Sequence, residues 1–122
     1  MDVDAIYDLG DTVFGSPEPR QSLELPQAEN IPSIRGNTDR FLVATPENLI
    51  GEASLEFVKT SLSAAQLESL ASLPKTRGVN GVLLVQGTPL DDELCLLERI
   101  KRVIFLKKMP PFLPNLVMYQ TQ

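Results

Sequence analysis

Apolar and polar positions alternate along this 122-residue chain in short runs of two different periods, a pattern that predicts strands interleaved with helices. Ala5-Ile6-Tyr7-Asp8-Leu9 reads as a short strand stopping at Gly10, and Gly15-Ser16-Pro17-Glu18-Pro19 as a loop by its glycine and prolines. Residues 19–25 begin a helix that Pro26 should break or kink, because proline removes a backbone donor and crowds the preceding turn. Ile31-Pro32-Ser33-Ile34-Arg35 forms a second strand candidate, ending at Gly36. From about Pro46 to Leu62, the positions Leu49, Ile50, Ala53, Leu55, Phe57, Val58 and Leu62 suit an imperfect amphipathic helix. Ser63 then caps another, with Leu67, Leu70, Ala71 and Leu73 on its inner face and Pro74 as its stop. Val79-Asn80-Gly81-Val82 reads as a hairpin turn, since Asn-Gly favours the positive backbone angles such turns require. Val82-Leu83-Leu84-Val85 is a buried strand that runs directly into Gln86-Gly87-Thr88-Pro89.

The length allows one domain, and the 43% apolar content fits a globular protein. Charge divides the chain. Residues 1–98 carry all 16 acidic side chains and 6 basic ones, a balance of −10, whereas residues 99–122 carry 5 basic side chains and no acidic one. The acidic body is unlike a nucleic-acid surface. The tail mixes Val103-Ile104-Phe105-Leu106, a strand candidate with basic flanks, with the Pro-rich segment Met109-Pro110-Pro111-Phe112-Leu113-Pro114. Two readings of it stand: a docking segment for a partner or membrane surface, or the product of a shifted reading frame without selected function. The single cysteine, Cys95, excludes an intramolecular disulfide and fits a structural thiol in a reducing compartment, since the chain holds no histidine to activate it. With an acidic N-terminus, no signal peptide and no run near the ~18 apolar residues of a membrane span, the expected location is cytoplasmic.

Two places put a Gly turn and an oxygen-bearing side chain directly after a short apolar run: Leu9-Gly10-Asp11 and Ile34-Arg35-Gly36-Asn37-Thr38-Asp39-Arg40. Metal ligands are presented in this way at the ends of buried strands, which suggests a metal-dependent phosphoester hydrolase. Each residue also has a plain structural reading. Asp11 suits a turn or a helix cap, Gly36-Asn37 a simple turn, and Gln86 a hydrogen-bonded amide at a strand end. Asp91-Asp92-Glu93 suits the acidic first turn of a helix.

The order of these motifs resembles the calcineurin-like metallophosphoesterases, and most nearly the small bacterial phosphodiesterase type. The resemblance covers roughly residues 3–98. It is carried by Gly10-Asp11, by Arg35-Gly36-Asn37-Thr38-Asp39-Arg40, by the capped helix from Leu62-Ser63 to Leu73-Pro74, and by Leu84-Val85-Gln86-Gly87-Thr88-Pro89 with Asp91, Asp92 and Leu96-Leu97-Glu98. It implies an α/β fold, one β-sheet layer of a four-layer α/β/β/α sandwich with flanking helices, over residues 1–98, with residues 99–122 as a divergent tail. It also implies a pair of divalent metals such as Mn, Fe or Zn, which clamp a phosphomono- or phosphodiester and lower the pKa of the attacking water. Asp11 matches the bridging carboxylate, Asn37 the amide ligand of the second metal, and Gln86 the place of a metal-binding His. Thr38 stands where most members carry a His that contacts the phosphate, and Asp39 where that His is oriented.

The chain departs from this pattern at the chemistry. Thr38 donates a hydrogen bond but is no general acid near neutral pH, and the Gln86 amide is a poorer transition-metal ligand than imidazole. The family's opening Asp-x-His motif and its closing Gly-His-x-His motif are not in the sequence. The expectation is a partial, degenerate copy with impaired catalysis, or a non-catalytic binding module. Unpaired strand edges would favour homo-oligomers.

Overall fold

The computed structural model describes residues 3–94, so the expectations for Cys95, for Glu98 and for the tail lie outside the described residues. Four helices pack together on one side, α1 (Pro19–Ala28), α2 (Asn37–Val43), α3 (Ala53–Ser61) and α4 (Ala64–Ala71), and an antiparallel hairpin follows, β1 (Thr76–Val79) and β2 (Val82–Val85). The architecture is thus α/β.

Helix α1 starts with Pro19, whose missing N–H costs nothing in the first turn, and it runs through Pro26 rather than breaking there. Pro26 is the eighth of ten residues, so only one helical hydrogen bond is lost. Its carbonyl accepts the N–H of Ile31 at 2.8 Å, and the ring shares the inward face with Pro19 and Leu23. The helix expected over residues 46–62 divides into a 3-10 turn, Glu47–Leu49, and α3. Gly51 separates them in the left-handed region (φ 82°), and the Glu52 side chain restarts the helix by accepting the N–H of Leu55 at 2.8 Å. In consequence Ile50 and Phe57 face outward, 71% and 50% exposed, whereas Leu55 and Val58 are buried. Helix α4 opens with a capping box: Ser63 Oγ accepts the N–H of Gln66, and Gln66 Oε1 accepts that of Ser63.

The core is built from one or two residues of each helix. Leu23, Phe41, Leu42, Leu55, Val58 and Leu70 meet around Val13, with Leu62 closing the α3–α4 corner. Each such side chain, when fully buried, contributes about 1.5–3 kcal/mol of hydrophobic stabilisation.

The hairpin forms as its sequence requires: Asn80 (φ 47°) and Gly81 (φ 80°) make a two-residue turn, with Val79 paired to Val82 and Thr76 to Val85. Residues 5–9 and 31–35 are extended and parallel, but they join only through a bridge at Asp8 and Ser33. Asp8 N–H donates to Pro32 O and Ile34 N–H to Asp8 O, both at 3.0 Å, and Pro32 has no N–H with which to lengthen the ladder. Arg35 N–H donates to Pro74 O at 2.8 Å, so the segment 33–35 lies between residue 8 and the start of the hairpin.

Candidate functional site

Asp11, Gly36 and Gln86 follow three extended segments that end on the same side of the molecule, the place where open α/β sheets present ligand-binding loops. The first two turns interlock. Gly10 (φ 90°) and Asp11 (φ 58°) both adopt left-handed backbone, and a Cβ on Gly36 would lie 2.1 Å from Asp11 Oδ1 and 2.5 Å from Asp11 N. Only a residue without a side chain fits at that approach.

The structure brings the expected site residues together. Asp11 Oδ1 accepts both the N–H of Thr38 (3.0 Å) and its hydroxyl (2.7 Å), and Asp11 Oδ2 accepts the Gln86 side-chain amide N–H at 2.9 Å. Asn37 opens α2 beside this cluster, half-buried. Asp39 does not turn toward Thr38. Its Oδ2 accepts the backbone N–H of Gly36 (2.8 Å) and of Asp11 (3.0 Å), clamping both glycine turns from the third position of α2. Asp39 is fully buried, and its Oδ1 meets no hydrogen-bond partner among the described residues. Burial pushes its pKa above the ordinary aspartate range, with repulsion from Asp11 and Asp8 adding to this, while the two backbone N–H bonds oppose the shift.

Sequence reasoning missed α2 and what its fourth residue does. Arg40 grips Asp92 through Nε (3.1 Å) and Nη2 (3.0 Å) and also pairs with Glu93, fastening the loop after β2 to the helix. Among the described residues Asp91-Asp92-Glu93 lies outside any helix; Asp92 and Glu93 form a turn, and Asp92 is buried against the guanidinium. That contact holds the Asp92 carboxyl below its usual range. Thr38, Asp39 and Arg40 thus tie Asp11, Gly36 and Asp92 to a single helical turn. The available signal was Gly36 followed three positions later by an acid, a helix-start spacing.

The donors on Asp11 bear on the expected metals. Three hydrogen-bond donors already occupy its carboxylate, and Gln86 turns the nitrogen, not the oxygen, toward it; the reverse orientation would set two oxygens against each other. Among the described residues no group of three or more His, Cys, Asp and Glu converges. One engaged carboxylate and neutral amides do not fit a two-metal centre. Among the described residues no helix is long and apolar enough to cross a membrane.

No protein-family model and no curated protein matches the chain. Among solved structures it is similar to a metallophosphoesterase from Sphaerobacter thermophilus, at a TM-score of 0.74 and 27% sequence identity over 96% of this chain. The aligned region makes up 49% of that protein, so the chain spans about half its length. Its α/β fold is therefore similar, in structure and in sequence, to part of a metallophosphoesterase.

Proposed function

We propose that this chain is a metallophosphoesterase-type protein whose catalysis is impaired. In this reading residues 1–98 form one sheet layer of the four-layer sandwich with its helices, residues 99–122 are a separate tail, and the substrate class is a phosphomono- or phosphodiester. The observation that carries it is the engagement of Asp11: its two oxygens are held by Thr38 and Gln86 at 2.7–3.0 Å, where the resemblance expects a bridging metal ligand. Thr38 adds nothing in place of an acid, because its hydroxyl does not release a proton near neutral pH. Asp11 and Asn37, with Gln86 beside them, are the residues this reading assigns to the site, and a divalent metal such as Mn, Fe or Zn would be at most weakly held. A cytoplasmic location without nucleic-acid partners belongs to the same proposal, supported by the acidic body and by the fold's likeness to an enzyme.

Purified chain incubated with manganese and a chromogenic phosphodiester should show no turnover above an Asp11→Ala control. Metal-dependent turnover abolished by that substitution would overturn the reading.

A second reading, a non-catalytic module that self-associates, is supported by the outer side of segment 3–7. Val3 and Ile6 are 60% and 59% exposed there, beside a groove of about 470 Å³ bounded by Tyr7, Ile31 and Pro32. Light scattering distinguishes the two, because this reading requires a dimer or larger species at micromolar concentration.

A further inference from the structure

The cluster around Asp11 is complete without a cation, and one residue supplies the group that completes it. Asp11 is the acceptor; Thr38 gives two donors from α2, and Gln86 gives the third from the end of β2, 75 positions away in the chain. Neutral donors satisfy a part-buried carboxylate without adding a second charge. The same position filled by an acceptor would do the opposite. We propose that Gln86 is the residue that keeps this site cation-free: its amide is the internal counter-group of Asp11, joining the end of β2 to the Gly10 turn, and exchange of that NH2 for an oxygen opens a divalent-cation site.

Gln86 Nε2 lies 2.9 Å from Asp11 Oδ2, so an isosteric glutamate would set two carboxylate oxygens at hydrogen-bond distance in a part-buried position. Two acceptor oxygens at that distance have no proton to share as the amide does, and they repel unless a cation lies between them. A divalent ion that takes oxygen ligands answers that need, with the Asn37 amide at the start of α2 on the adjacent turn. In the natural sequence the amide removes both the repulsion and the attraction for metal. The cluster then acts as a three-segment tie, with Gln86 as a positioning residue for Asp11. The inference rests on the reading of Asp11 as a metallophosphoesterase-type position, but it concerns metal affinity rather than turnover.

Thermal unfolding of the full chain in EDTA and in about 1 mM MnCl2 tests it, with Gln86→Glu and Gln86→Ala as variants. The wild-type midpoint should be the same in both buffers. Gln86→Glu should unfold about 4–8 °C lower in EDTA and regain most of that loss with manganese, whereas Gln86→Ala should fall by a similar amount in both. Equal stabilisation of wild type and Gln86→Glu by manganese would overturn the proposal. So would a Gln86→Glu chain as stable as wild type in EDTA. Equilibrium dialysis of the wild type against manganese is independent of how either variant folds: less than a tenth of an equivalent bound supports the tie, and about one equivalent overturns it. If the wild type binds manganese but does not turn over the phosphodiester, the tie falls and the impaired-catalysis reading stands. Turnover by the wild type would instead overturn that reading.

Discussion

The Asp39 carboxylate accepts the backbone N–H of Asp11 across 28 positions of sequence at 3.0 Å, through the same oxygen that accepts the N–H of Gly36. One buried oxygen therefore fixes both turns of the candidate site. Replacing it separates the roles of charge and acceptor. Asp39→Asn keeps a carbonyl oxygen for both N–H groups and removes a costly buried charge, so its unfolding free energy should lie within about 1 kcal/mol of wild type. Asp39→Ala leaves two buried donors unsatisfied and should lose about 2–4 kcal/mol in urea denaturation. Equal losses for the two variants would show that the paired acceptance is not what holds the turns.

The close approach of Gly36 to Asp11 leads to a second expectation. A methyl group on Gly36 would need the Asp11 backbone and carboxylate to move by an ångström or more, since the nearest atom would be 2.1 Å away. Gly36→Ala should cost about 2–4 kcal/mol and release Thr38 from Asp11. Gly78→Ala, where the added methyl meets nothing within 4 Å, is the control and should change stability by about 1 kcal/mol or less. Comparable losses at the two positions would count against the interlocked turns.

Where a signal was local, the sequence was readable. The Asn80-Gly81 turn and the Ser63 helix cap act within four residues, and both formed as expected. Helix α2 was not legible because its apolar residues, Phe41, Leu42 and Val43, are consecutive and show no helical period; burial of Phe41 and Leu42 against α3 and α4 decides its conformation. Pro26 sits too near a helix end to break α1, whereas Gly51, left-handed at φ 82°, divides the helix expected over 46–62. The meeting of Asp11, Thr38 and Gln86 followed from motif order. Which atom of Gln86 faces Asp11 did not, since amide nitrogen and oxygen share one letter of sequence. The Arg40–Asp92 contact joins residues 52 apart and needed the fold.

The capping box of α4 permits a test of how much of the domain's stability is local. Ser63→Ala removes the acceptor of the Gln66 N–H at an exposed helix start and should cost about 1 kcal/mol. Leu70→Ala, about two helical turns further on, empties a fully buried position and should cost about 2–5 kcal/mol. A Ser63 effect as large as that of Leu70 would mean that helix initiation, rather than core packing, sets the stability.

The Arg40–Asp92 pair gives the chain a defined acid response. Hydrogen bonding to Arg40 lowers the Asp92 pKa in the folded state, so the ionised carboxylate contributes stability that is fully present above the unfolded aspartate value of about 3.9. As pH falls through the lowered folded value that contribution disappears, because protonated Asp92 no longer attracts the guanidinium. Arg40 is 30% exposed against 9% for Asp92, so solvent screens part of the attraction and the expected contribution near neutral pH is about 1–2 kcal/mol. Asp92→Asn should therefore be less stable than wild type by that amount at pH 7, and the gap should close as pH is lowered below about 4. The difference between the two proteins isolates this pair from the other carboxylates, which titrate in both. Urea denaturation across the range provides the measurement, and a gap that stays constant with pH would show that Asp92 acts through shape and hydrogen bonding rather than through its charge.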